Sequence, residues 1–125
     1  MIERKSLLAA TIAGTILQVA MVVIGHFVPW VAIHVFMFGG MMISATVGYL
    51  YARDVGRGYG SGAVGGAIAG GMCALTGIAI SVTLGDMAPG ALALGTAIST
   101  LTGAIGGLFG QMSAAILAWG RRHSR

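Results

Sequence analysis

Charge is the scarcest commodity in this chain. Lys and Arg number seven and Asp and Glu three, together 8% of 125 residues, where a soluble domain carries about 25%. Ten charged side chains cannot coat a soluble surface, and their scarcity leaves long apolar runs. Cysteine is almost missing too. Cys73 stands alone, which excludes an intramolecular disulfide and a thiolate metal cluster, and its expected role is a small buried apolar residue. Proline occurs only at positions 29 and 89, so helices can run far between breaks. Glu3, Asp54 and Asp86 are the only acidic residues, and none lies inside an apolar run. No Ser–His–Asp grouping can be assembled, and the glycines sit in apolar helical segments rather than after a strand, which excludes a phosphate loop. An enzyme is not expected, and no cofactor is required.

Four apolar runs are present, at about 7–28, 30–52, 61–84 and 91–119. Each is near or above the ~20 residues with which a helix crosses a bilayer. The expected fold is a single all-α integral membrane domain over 1–125, a bundle of four transmembrane helices arranged as two hairpins. The basic start followed by an apolar stretch has the outline of a signal peptide, but the run continues to Val28, so a retained first span is preferred.

The net charge of +4 does not call for nucleic acid, because of where the charges fall. Arg4 and Lys5 precede the first run, Arg53 and Arg57 separate the second from the third, and Arg121, Arg122 and Arg125 follow the fourth. All seven therefore share one side of a four-span chain. The other side has only "GHFVPW" and "GDMAPG". This is the positive-inside pattern and places both termini in the cytoplasm. The same charges suit anionic lipid head groups. Tyr49, Tyr51, Tyr59 and Trp119 fit an inner aromatic belt, with Phe27 and Trp30 in an outer one. A chain rich in Arg, Ala and Gly fits a multi-pass protein of a bacterial inner membrane.

The two hairpins, joined by "RDVGRGYG", are also alike in sequence. "TIAG" at 11–14 returns as "AIAG" at 67–70, and "VGYLYA" at 47–52 resembles "IGGLFG" at 105–110. A duplication would relate them by a pseudo-twofold axis along the membrane normal.

Glycine is the abundant residue. There are 22, more than twice the usual share of about 7%. Lipid gives helices no hydrophobic reason to associate, so close backbone approach must supply the attraction, and small residues four apart permit it. Such stripes run through Ala10 and Gly14; through Gly40, Ser44, Gly48 and Ala52; through Gly58, Gly62, Gly66, Gly70 and Ala74; and through Gly95, Ser99, Gly103 and Gly107. A second stripe on the last run holds Gly106, Gly110 and Ala114. More than one small-residue face per helix leads to the expectation of a homo-oligomer, or of docking to other membrane subunits.

Polar residues inside the runs are the remaining candidates. Gln18 falls ~16 Å below Pro29 at 1.5 Å rise per residue, near mid-membrane, whereas His26 and His34 are shallow. His26 and His34 with Met37 suit copper, and two histidines on facing helices could ligate haem. Their shallow position favours a structural role over either metal or haem. Gln18 is read first as interhelical glue, as are Gln111, Thr96 and Thr100, and Asp86 as a turn or cap residue. Two functional classes follow. One is a non-catalytic accessory or scaffold subunit that packs by its glycine stripes. The other is a small-solute or ion transporter with a polar path at Gln18, Met37 and Met41 and a mouth at His26 and His34.

The paired hairpins and glycine-rich helix resemble the membrane-ring subunits of rotary ATPases, and the chain's size resembles that of small multidrug exporters and fluoride channels. The intramembrane carboxylate of the first two is missing here, as are the asparagine and phenylalanine-box motifs of the third. None of these families supplies a function.

Overall fold

The computed structural model describes residues 3–124, of which 89% are helical, with no strand. Five helices follow in order: α1 (Arg4–Phe27), α2 (Pro29–His34), α3 (Phe36–Val55), α4 (Tyr59–Thr83) and α5 (Gly90–His123). Arg125, one of the seven basic residues, lies outside the described residues.

Local chemistry sets most of the breaks. Val28 is extended (φ −122°, ψ 91°), as the steric demand of a following proline requires. Pro29 then opens α2 at its first position, where the missing N–H is no loss. Gly56 closes α3 in the left-handed region (φ 58°), and Gly58 (φ 105°) turns the chain into α4. At the far end of α4, Gly85 (φ 81°) donates to the Val82 carbonyl and Asp86 N–H to that of Ser81, at 3.1 and 2.9 Å. That pair of bonds is the Schellman closure, which needs a left-handed residue and here finds glycine. With 34 residues α5 extends ~51 Å, well beyond a ~30 Å hydrocarbon core.

Three helices, α1, α4 and α5, are long and apolar enough to cross a membrane. The run at 30–52 does not form one unbroken helix. Val35 interrupts it, leaving the six-residue α2 and an α3 whose last turn carries Arg53 and Asp54. No proline marks this break. Phe36 turns inward just after it, and its ring packs against Gly25 of α1 so closely that a Cβ there would collide with the ring. His34, just before it, donates from Nδ1 to the Trp30 carbonyl at 3.0 Å and stacks on the Trp30 indole. Gly39 and Gly40, one turn on, offer little resistance to the bend.

Helices α3, α4 and α5 pack against one another, and α1 lies in the groove between α3 and α4. No described residue of α1 brings its Cα within 8 Å of one in α5. That asymmetry separates the hairpins. A twofold exchanging them would match the α3–α4 contact with an α1–α5 contact, and there is none. The sequence similarity of the hairpins therefore has no counterpart in helix pairing.

Glycine explains how α5 fits. A Cβ on Gly103 would collide with the Gly66 carbonyl, and one on Gly107 with that of Gly62; both faces belong to α4. A Cβ on Gly106 would strike the Ala45 carbonyl and one on Gly110 that of Tyr49, both on α3. The two stripes of α5 thus serve two neighbours within one chain. Bare backbones at this range gain dispersion and weak Cα–H···O contacts. The stripe of Gly106 and Gly110, one of the faces that led to the expectation of other subunits, is occupied within the chain. Gly58 also differs from its expected role: nothing lies within 4 Å of the Cβ it lacks, and it acts as a turn residue. Gly40 meets the side chains of Gln18 and Met21, and Gly95 that of Ile78, rather than backbone.

Tyr51 departs from its expected place in an aromatic belt. It is 0% exposed, its ring seated in the notch of Gly65. Tyr59, Trp119, Phe27 and Trp30 do point outward.

Candidate functional site: a cavity among four helices

At the end of the bundle that holds the 84–89 turn, the helices splay around a cavity of about 120 Å³. Gln18 comes from α1, Met37 and Met41 from α3, Ser81 from α4, Met87 from the turn and Ser99 from α5. The space exists because α1 and α5, which do not pack together, face each other across it while α3 and α4 close the sides.

Gln18 forms the floor. It is 3% exposed, and its Nε2 donates to the Gly40 carbonyl on α3 at 3.3 Å. On its other side Gly77 of α4 is so near that an added Cβ would come 3.0 Å from the Gln18 Cβ. Gly77 makes room for this long polar side chain, and Gly40 supplies the carbonyl that it meets. Beneath it the bundle is shut. Ser44 Oγ and Cys73 Sγ both donate to the Gly70 carbonyl, at 3.2 and 3.3 Å, and Gly14 is pressed against Val47 and Cys73. Gln18 is thus glue and cavity lining at once.

The two substitutions at this position should separate those roles. Interhelical hydrogen bonds in membranes average ~0.6 kcal/mol, so Gln18→Leu, which keeps the bulk, should lower stability by about 1 kcal/mol or less. Gln18→Ala, which also opens a void, should lose about 2 kcal/mol. Thermal unfolding in mild detergent compares them.

Ser81 stands out among the hydroxyls. Thr46, Thr76, Thr83 and Thr100 each donate to the carbonyl four residues back, at 2.8 to 3.0 Å, the usual outlet for a hydroxyl in a membrane helix. Ser81 is 0% exposed, and its Oγ has no hydrogen-bond partner; the Thr96 hydroxyl is unpartnered too, but Thr96 lies outside this cavity. Sequence reading missed it, since nothing in the sequence distinguishes it from the bonded threonines.

The histidines are not part of this cavity. His26 Nδ1 meets Asp86 Oδ2 at 2.9 Å, fastening the end of α1 to the α4–α5 turn. Both partners are partly exposed, so the pair contributes at most about 1 kcal/mol. His34 is engaged with its own helix through Trp30. Each histidine is engaged separately, and no grouping of three or more His, Cys, Asp or Glu occurs among the described residues. At the opposite end Gln111 accepts from the Gly58 N–H at 3.1 Å, Tyr49 donates to Ser113 at 3.0 Å, and Arg57 pairs with Glu3 at 3.4 Å. Gln111 thus holds a loop rather than lining a path.

Fold and site together give an all-helical protein with three helices long and apolar enough to cross a membrane and a partly open, mostly apolar cavity. Beyond that class the comparisons add nothing: no family model, curated protein or solved structure matches the chain.

Proposed function

We propose that the protein is a four-span bundle of a bacterial inner membrane, both termini cytoplasmic, which takes a small solute into its cavity from the outer side without catalysing a reaction. In this reading α2 and α3 cross together as one bent span. Support for the orientation comes from the seven basic residues, six of them described at the end with the termini, and from the turn at 84–89, which has none. The observation that carries the solute reading is the convergence of Gln18, Ser81 and Ser99 from three helices on one space closed below by glycine contacts. A dead-end cavity is one state of a carrier, not an open channel.

The accessory-subunit reading keeps one support, the outward row of Trp30, Ile33, Met37 and Phe38, which lipid covers equally well. No metal or haem is invoked.

Single-cysteine labelling tests the proposal. In a Cys73→Ala background, Met87→Cys at the cavity's rim should react in intact cells with a membrane-impermeant maleimide, and Arg57→Cys only after permeabilisation. The reverse pattern would refute it.

A further inference from the structure

The cavity has an unsatisfied donor in its wall, and this says more about what belongs there. Ser81 Oγ is fully buried and unpartnered. It sits on the face of α4 that lines the cavity, and it forgoes the carbonyl that the neighbouring threonines use. A buried hydroxyl without a partner is an unfavourable arrangement, which an acceptor atom entering the cavity would relieve. Apart from Gln18, whose amide is already bonded to Gly40, and Ser99, the lining is apolar, with Met21, Met41 and Met87 among it, and no charged residue lines the space. Methionine walls adapt to varied apolar shapes. The size also sets a limit, since a cavity of roughly 150 Å³ accommodates benzene and this one is about 120 Å³.

From these features we infer that the cavity binds a small uncharged molecule of one-ring size, with an apolar body and a single acceptor atom to which the Ser81 hydroxyl donates a hydrogen bond. This rests on the solute-binding reading above and narrows it to a ligand class. Charged solutes find no counter-charge here, and a pure hydrocarbon leaves Ser81 unpaired.

Two probes of nearly equal shape separate the parts of this inference: cyclohexanone, with one carbonyl acceptor, and methylenecyclohexane, with none. The full chain in lipid nanodiscs, labelled with ¹³C at its methionine methyls, reports cavity occupancy through Met21, Met41 and Met87. Cyclohexanone should shift these signals saturably and bind about tenfold more tightly than methylenecyclohexane. Ser81→Ala should remove that preference while leaving methylenecyclohexane binding unchanged. Ala91→Phe, at the cavity's edge, should abolish both. Equal affinity for the two probes, unaltered by Ser81→Ala, would overturn the role of Ser81 and leave solute binding standing. No saturable shift with either probe would overturn both.

Discussion

Gly103→Leu should leave no folded protein to purify. The position lies where α5 passes between α3 and α4. The Gly103 carbonyl is what a Cβ on Gly48 and one on Gly66 would each strike, and a Cβ on Gly103 itself would run into the Gly66 carbonyl and come 3.1 Å from the Gly70 Cα. Backbone cannot rotate aside as a side chain can. Overpacking a core typically loses 1–3 kcal/mol, occasionally more, and here a whole isobutyl group must part α5 from the α4 backbone, so the expected loss is at least about 3 kcal/mol. Helix propensity pulls the other way, since leucine is a better helix former than glycine by up to ~1 kcal/mol. The expected sign therefore follows from packing alone. Yield of monodisperse protein and its thermal unfolding in mild detergent read the outcome; a Gly103→Leu variant as stable as the parent would show that α5 does not lie where it is placed.

The second large effect is at Tyr51. This is the largest fully buried side chain, seated against Gly65, with its hydroxyl accepting the Glu3 N–H at 3.3 Å. Truncating a buried aromatic to alanine in soluble cores loses about 3–5 kcal/mol. Part of that is transfer from water, which counts for less when the surroundings are lipid, so about 2–4 kcal/mol is expected for Tyr51→Ala. Tyr51→Phe keeps the ring in its notch and gives up one long hydrogen bond, for about 1 kcal/mol or less. Reversible denaturation in micelles should rank the two in that order. Equal losses would mean that the hydroxyl, not the ring, holds this region.

Much of the fold was written in local chemistry and much was not. The helices could be read because apolar runs are long and Pro29, Pro89 and the glycine-rich loop interrupt them visibly. The break at Val35 could not be, since it arises from Phe36 reaching across to Gly25, an encounter 11 residues apart in sequence but settled only by how α1 and α3 cross. The stripes announced that helices would approach closely. They did not say which helix each face would meet, so Gly106 and Gly110 read as surplus when they are the seat of α3. Gly65, outside the four-residue interval that marked the others, carried no signal, so the burial of Tyr51 against it was not legible and Tyr51 read as a belt residue. At the candidate site Gln18 was legible by polarity and depth, and Met37 and Met41 by helical spacing. His26 and His34 had the same chemical signature and lie elsewhere, because residue type reports what a side chain can bind, not which neighbour reaches it first. Ser81 had no signal at all, for its distinction is a bond that it does not make.

The central claim is that these glycines bring helices of one chain together, each effective only where another backbone is pressed against it. A pair of alanine substitutions on the same helix tests this most directly. A Cβ on Gly107 would meet the Gly62 carbonyl, whereas one on Gly120 would meet nothing within 4 Å. Both changes add one methyl group and both improve helix propensity equally. Unfolding temperatures of the two variants in the same detergent should diverge: Gly107→Ala well below the parent, Gly120→Ala equal to it or slightly above. If the two melt together, the seam between α4 and α5 does not hold this protein together.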